Sequence, residues 1–143
     1  MDDATFDFVL SDLVRALGLH QPDRTPCGQP FSPSEALTLL HLHDSDEPVL
    51  QKQLAAALGL QKSTVSRLLD GLARRGLVDR LPHPDGGRVL RVALTDDGRR
   101  QVAQLRAARR DRLERLMAAI PAEDRPAVVK AVRLLIEAGN ASR

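Results

Sequence analysis

The chain has 143 residues, with 21 Lys/Arg against 19 Asp/Glu and a net charge of +2. That length suits one domain with a sizeable core, but with three Phe and no Trp or Tyr the core must come from Leu, Val and Ala, and Leu and Ala favour helix. No apolar run approaches the length of a membrane span, Met1-Asp2-Asp3 begins acidic where a signal peptide would be basic, and one cysteine, Cys27, excludes an internal disulfide framework, so a cytoplasmic protein without membrane association is expected.

Phe6, Val9, Leu10, Leu13, Val14 and Leu17 recur at helical spacing and predict a first helix over 4–19. A polar, Pro-rich connector, HQPDRTPCGQPF, follows from His20 to Phe31. At SPSEALTLLHLH the helical pattern returns. Ser32 is an N-cap, Pro33 takes the first helical position and Glu35 completes a capping box. The acidic run Asp44–Pro48 ends that helix. Val49 and Leu50 suit a very short strand, and QKQLAAALGL a short helix stopped by Gly59. Another helix starts at about Gln61 and runs to about Arg75, with Gly76 as its left-handed cap and Leu77 as the apolar contact behind it. LVDRL and RVLRVAL are strand-like, and the dense turn chemistry of residues 82–87 joins them as a hairpin. Thr95 caps a long helix over 96–120. After Pro121 a last helix over 122–139 carries Val128, Val129, Val132, Leu135 and Ile136. The expected fold is mainly α with a small β-hairpin: one domain over 1–143, with a winged helix-turn-helix lobe at 32–95.

Charge is unevenly spread. Leu50 to Arg91 holds eight Lys/Arg (52, 62, 67, 74, 75, 80, 88, 91) and three Asp (70, 79, 85), a local +5 that leaves −3 for the rest. A basic middle between acidic ends points to a local polyanion-binding surface. The helix after Gln61 sharpens this. At 100° per residue Val65, Leu68, Leu69 and Leu72 share one side, while Lys62, Ser63, Ser66, Arg67 and Asp70 lie on or near the other. An apolar side docks the helix. Short hydroxyls beside cations suit close approach to a major groove, where Ser and Thr reach phosphates or base edges and Arg or Lys pairs with guanine. The helix N-terminus adds affinity for phosphate.

Within Leu54–Arg99 the elements LA…LG, STVSRL, L…RGLV, a turn-rich wing and LTxxGR (Leu94-Thr95-Asp96-Asp97-Gly98-Arg99) stand in that order. In these the chain resembles the MarR family of bacterial transcriptional regulators. The resemblance implies a homodimer on a near-palindromic double-stranded DNA operator, acting as a ligand-responsive repressor. It implies dimerisation through the helices at 4–19 and 122–139, with the 96–120 helix connecting a dimerisation lobe to the DNA lobe. The residues it assigns to DNA are Gln61, Lys62, Ser63, Thr64, Ser66, Arg67, Arg88 and Arg99. The family usually carries Asp-x-Arg in the wing, whereas this chain has Asp85-Gly86-Gly87-Arg88. Counted back from Leu94-Thr95, Arg88 is in register as a wing-tip arginine and Asp85 stands one residue too far. Asp85 either still orients Arg88 or is a turn residue. Relatives commonly admit a small aromatic or amphipathic anion, so an effector pocket lined from the first, second and fifth helices is a further implication.

Other functions fit these residues less well. A winged helix used for protein–protein assembly would leave Lys62, Ser63, Ser66 and Arg67 unexplained. An enzyme is not expected: no nucleophile–base pair, phosphate loop or metal motif has usable spacing, and no cofactor is implied. Sensing of metal or oxidation through His20, Cys27 and His41 is the remaining alternative. His20, Cys27, His41 and His43 fall within 24 residues, but they form no zinc signature, and side chains two apart on a helix diverge by about 200°. Arg24 near Cys27 would favour the thiolate; an incidental thiol is the blander expectation. The arginines of the long helix are largely a solvated face balanced by Asp111 and Glu114, with Arg99 set apart by its place near the wing base.

Overall fold

A computed structural model describes residues 2–87 and 89–142. Arg88, the expected wing-tip arginine, lies outside the described residues. The elements are α1 (Asp3–Ala16), α2 (Pro33–Asp44), β1 (Val49–Leu50), α3 (Gln51–Leu58), α4 (Lys62–Arg74), β2 (Val78–Pro82), β3 (Leu90–Leu94), α5 (Asp96–Ala119) and α6 (Arg125–Ala141). The fold is six helices with one small antiparallel sheet, a winged helix-turn-helix. Two compact units divide the chain, one up to Ala108 and one from Arg109.

In the first unit the local signals set the boundaries. Ser32 Oγ accepts from the Glu35 N–H and Glu35 Oε2 from the Ser32 N–H, the reciprocal box that starts α2. Gly59 closes α3 and Gly76 follows α4, both at positive φ. Leu77 is buried behind α4, and its N–H reaches the Leu72 carbonyl. Strand order is β1-β3-β2, with Val49 opposite Val92 on one side and Val78 opposite Leu94 on the other. The two-residue β1 thus ties the α2–α3 connection to the wing.

The core gathers Phe31, Leu39, Leu54, Val65, Leu69, Leu72, Val92, Val102 and Leu105, all fully buried. Each such side chain contributes about 1.5–3 kcal/mol by leaving water. Phe31 explains how the Pro-rich connector is anchored: its ring sits in the core, and the Arg75 guanidinium lies 4.4 Å from its centroid. Arg75 also stands 3.8 Å from Glu35, so the start of α2 and the end of α4 meet around one cation.

The start of α5 is fixed by Thr95. Its Oγ1 donates to the Gly76 carbonyl at 2.6 Å and accepts from the Gly98 N–H at 3.0 Å, while its own N–H reaches the Leu77 carbonyl. Gly98 lies so close to that segment that a Cβ would stand 2.1 Å from the Leu77 carbonyl oxygen. The turn after α4 and the first turn of α5 are therefore in backbone contact.

Helix α1 starts earlier than the apolar spacing predicted, because Asp2 accepts from the Thr5 N–H and caps it. It also ends earlier: Gly18 takes a left-handed conformation and leaves Leu19 outside. No residue of α1 is buried, and Phe6, Phe8, Val9, Leu10 and Leu13 are exposed. In the second unit, α6 begins at Arg125 because residues 121–124 form a turn closed by the Asp124 N–H on the Pro121 carbonyl. It too buries no residue, leaving Val128, Val129, Val132, Leu134, Leu135 and Ile136 exposed. Among the described residues no helix is long and apolar enough to cross a membrane.

Candidate nucleic-acid interface

Helix α4 separates its two sides as the sequence predicts. Val65, Leu69 and Leu72 are buried, with Leu68 packed against the same core. Gln61, Lys62, Ser63 and Arg67 are exposed, and Thr64 and Ser66 are half-buried. Gln61 is the N-cap position but its side chain makes no capping bond. The first turn of α4 carries Lys62 and no acidic residue. Short hydroxyls, an uncapped helix start and two cations thus share one end of the helix. Chemically, that end can accept an anionic oxygen on backbone N–H groups and place a guanidinium within reach of a base edge.

The basic middle is less available than its charge count suggests. Arg75 is taken up by Phe31 and Glu35. Arg91 Nη2 donates to the Pro82 carbonyl across the hairpin. Arg80, on β2, turns toward α4: Nη1 donates to Asp70 Oδ1 at 2.5 Å and Nη2 to the Ser66 carbonyl at 3.0 Å. Asp70, placed by helical angle on the outward side, is therefore paired. The sequence reasoning missed this arrangement. Strand alternation held the clue, since it puts Arg80 on the same face as buried Val78.

Arg99 is exposed in the first turn of α5, where it pairs with Asp96 at 2.9 Å and holds that carboxyl below its ordinary value. It lines a cleft with His43, Ser45, Asp46, Glu47 and Val92–Leu94. The structure thus sets it beside the base of β3 and the acidic α2–β1 connection. In the wing, Asp85 Oδ2 stands 3.5 Å from His83 Nδ1, and the Asp85 N–H donates to the same nitrogen at 3.2 Å. Both contacts lie within the turn; a pairing of Asp85 with Arg88 falls outside the described residues.

The residues of the alternative sensing reading do not form one group. His20 is exposed, His41 is half-buried, and His43 faces Asp44. Cys27 Sγ lies 3.0 Å from the Thr25 hydroxyl, while Arg24 reaches the Gly28 carbonyl instead. Among the described residues no three His, Cys, Asp or Glu side chains are grouped to hold a metal ion.

Residues 29–89 match a family model described as the MarR family. The chain is 29% identical over 111 residues to the HTH-type transcriptional repressor YetL of Bacillus subtilis, covering 77% of this chain and 66% of YetL. It spans about three-fifths of the length of the Bacillus subtilis relatives it matches. Among solved structures, RV1404 from Mycobacterium tuberculosis is 32% identical with a TM-score of 0.71, covering 97% of this chain and 94% of that one. FabT from Streptococcus pneumoniae, solved in complex with DNA, superposes with a TM-score of 0.75 over 98% of both chains at 19% identity, a likeness of fold. Fold, motif order and these alignments agree: the chain belongs to the MarR family of winged helix-turn-helix transcriptional regulators.

Proposed function

We propose that this chain is a sequence-specific repressor that binds a near-palindromic double-stranded DNA operator as a homodimer and is released by a small ligand. The observation that carries the reading is the N-terminal end of α4. There Gln61, Lys62, Ser63 and Arg67 are exposed above a side that is buried in the core. Ser63, Thr64, Ser66 and Arg67 read the major groove, and Lys62 and Gln61 hold its phosphates. Arg88 enters a minor groove from the wing, on the strength of its register in the motif. Arg99 is the weakest of the assigned contacts, because Asp96 already shares its charge.

Support for the homodimer is that α1 and α6 bury nothing and leave long apolar faces exposed. A second copy would cover them, and residues 4–19 and 122–139 would then serve dimerisation. Two-fold symmetry places two α4 helices on successive major grooves, about 10 base pairs apart. Repression is inferred from YetL, a transcriptional repressor. Ligand response rests on the family resemblance and on a neighbour, PcaV of Streptomyces coelicolor, solved with its natural ligand; the effector expected here is a small aromatic or anionic molecule.

The test is a titration of labelled double-stranded DNA at several salt concentrations. Affinity should fall steeply with salt, since each neutralised phosphate adds about 0.9 to the log–log slope. A protein that binds no DNA at low salt is an assembly module instead.

A further inference from the structure

We propose that Arg80 is a positioning residue for DNA reading: it clamps helix α4 to the wing and sets the angle at which α4 meets the groove. The inference rests on the DNA-binding function proposed above.

Position 80 breaks the alternating pattern of β2. On β2, Val78 and Arg80 point to the same face by strand alternation, and Val78 is buried. Across the ladder Arg80 pairs with Val92, itself fully buried. Position 80 is thus a core-side strand position filled by a permanently charged side chain. Such a group must find partners or incur a desolvation cost. It finds them on one helix, one turn apart. Nη1 meets the Asp70 carboxylate at 2.5 Å and Nη2 the Ser66 carbonyl at 3.0 Å. A planar guanidinium that bonds a side chain and a main-chain oxygen of the same turn restricts both rotation and slide of that turn.

Three further facts make this more than a surface ion pair. Arg80 is only 26% exposed at its side chain. Its Nε is buried and makes no hydrogen bond among the described residues, so the stem is enclosed between strand and helix. The gripped carbonyl belongs to Ser66, whose neighbour Arg67 is among the exposed side chains assigned to the groove. The clamp also matters electrostatically. It neutralises Asp70, a carboxylate that would otherwise stand near a polyanion. A reading site displaced by about 1 Å keeps its residues but loses its geometry, so loosening this clamp should cost sequence preference more than general affinity for DNA.

The experiment compares wild type, Arg80→Gln, Asp70→Asn and the double variant on two DNAs. One is the sequence that the wild-type protein selects from a random pool, the other a random duplex of equal length, each titrated at several salt concentrations. Arg80→Gln and Asp70→Asn should each lower affinity for the selected sequence about tenfold, within the range of one lost base-pair contact. Affinity for random DNA should change less than about twofold, so the specificity ratio falls. The double variant should be no worse than the weaker single one, as expected of one coupled pair. Asp70→Asn is nearly isosteric and half-exposed, so it keeps the test open if Arg80→Gln does not fold. An equal loss on both DNAs, with the salt slope of Arg80→Gln reduced by about one per protomer, would make Arg80 a phosphate contact and overturn the proposal. So would tighter binding by Asp70→Asn, or unchanged specificity ratios. A wild-type protein with no preferred sequence would remove the proposed function itself, and this inference with it.

Discussion

Gly98→Ala tests the contact that joins the segment after α4 to α5. A Cβ at residue 98 would lie 2.1 Å from the Leu77 carbonyl oxygen and 3.1 Å from Leu94 Cδ2. An ordinary carbon–oxygen contact is about 3.3 Å, so strand start and helix must part by roughly 1 Å. The atom that has to move is backbone, and it already accepts the Thr95 N–H at 3.1 Å. Overpacking of this kind costs about 1–3 kcal/mol, and weakening that hydrogen bond adds about 1 kcal/mol. Against this, alanine gains at most about 1 kcal/mol of helix propensity over glycine. The net expectation is a loss of about 2 kcal/mol, or roughly 6–8 °C in Tm for a chain of this size. Thermal unfolding followed by circular dichroism measures it, at one fixed protomer concentration because association shifts the midpoint. Gly71→Ala is the matched control. It sits inside α4, and its Cβ would meet nothing nearer than Glu35 Oε1 at 3.9 Å, so Tm should hold or rise slightly. A Gly98→Ala protein that melts at or above wild type would refute the reasoning, since the close approach would then not be what requires glycine.

Leu13→Asp places a charge on the exposed apolar face of α1; light scattering should show loss of the dimer, and an unchanged dimer would exclude that face from the interface. Arg67→Ala should cost about 1–3 kcal/mol of operator affinity and relax preference at one position per half-site, whereas equal weakening on every sequence would make it a phosphate contact. Arg88→Ala should weaken binding and lower the salt slope by about one per wing, with Tm unchanged. Normal affinity with a normal slope would exclude Arg88 from the mechanism.

What could be read from the sequence was whatever depends on neighbours in the chain. The Ser32–Glu35 box, the left-handed Gly59 and Gly76, and the Thr95 cap each act within a few residues, and each stands where its pattern put it. The side of α4 facing the core followed from helical spacing for the same reason. Errors of boundary arose where a cap outweighed apolar periodicity: Asp2 and Gly18 moved α1 toward the N-terminus relative to the Phe6–Leu17 stripe. What stayed hidden depends on distant partners. Arg75, Arg80 and Arg91 looked like free cations because Glu35, Phe31, Asp70 and the Pro82 carbonyl reach them only through the fold. Arg99 lies by the base of β3, as its place after the hairpin suggested, but its pairing with Asp96 and the acidic connection before β1 beside it were not foreseen. The glycine of LTxxGR could be noted as a motif, yet its cause, the Leu77 carbonyl, lies 21 residues earlier.

The proposed function requires the exposed end of α4 to read DNA in two symmetric copies. Selection of bound duplexes from a random pool, followed by sequencing, tests it most directly. The expected outcome is one near-palindromic motif whose half-sites are centred about 10 base pairs apart, and loss of preference at a matching position in both half-sites when the selection is repeated with Arg67→Ala. A pool that shows no enriched motif, or one asymmetric motif unaffected by Arg67→Ala, would contradict it.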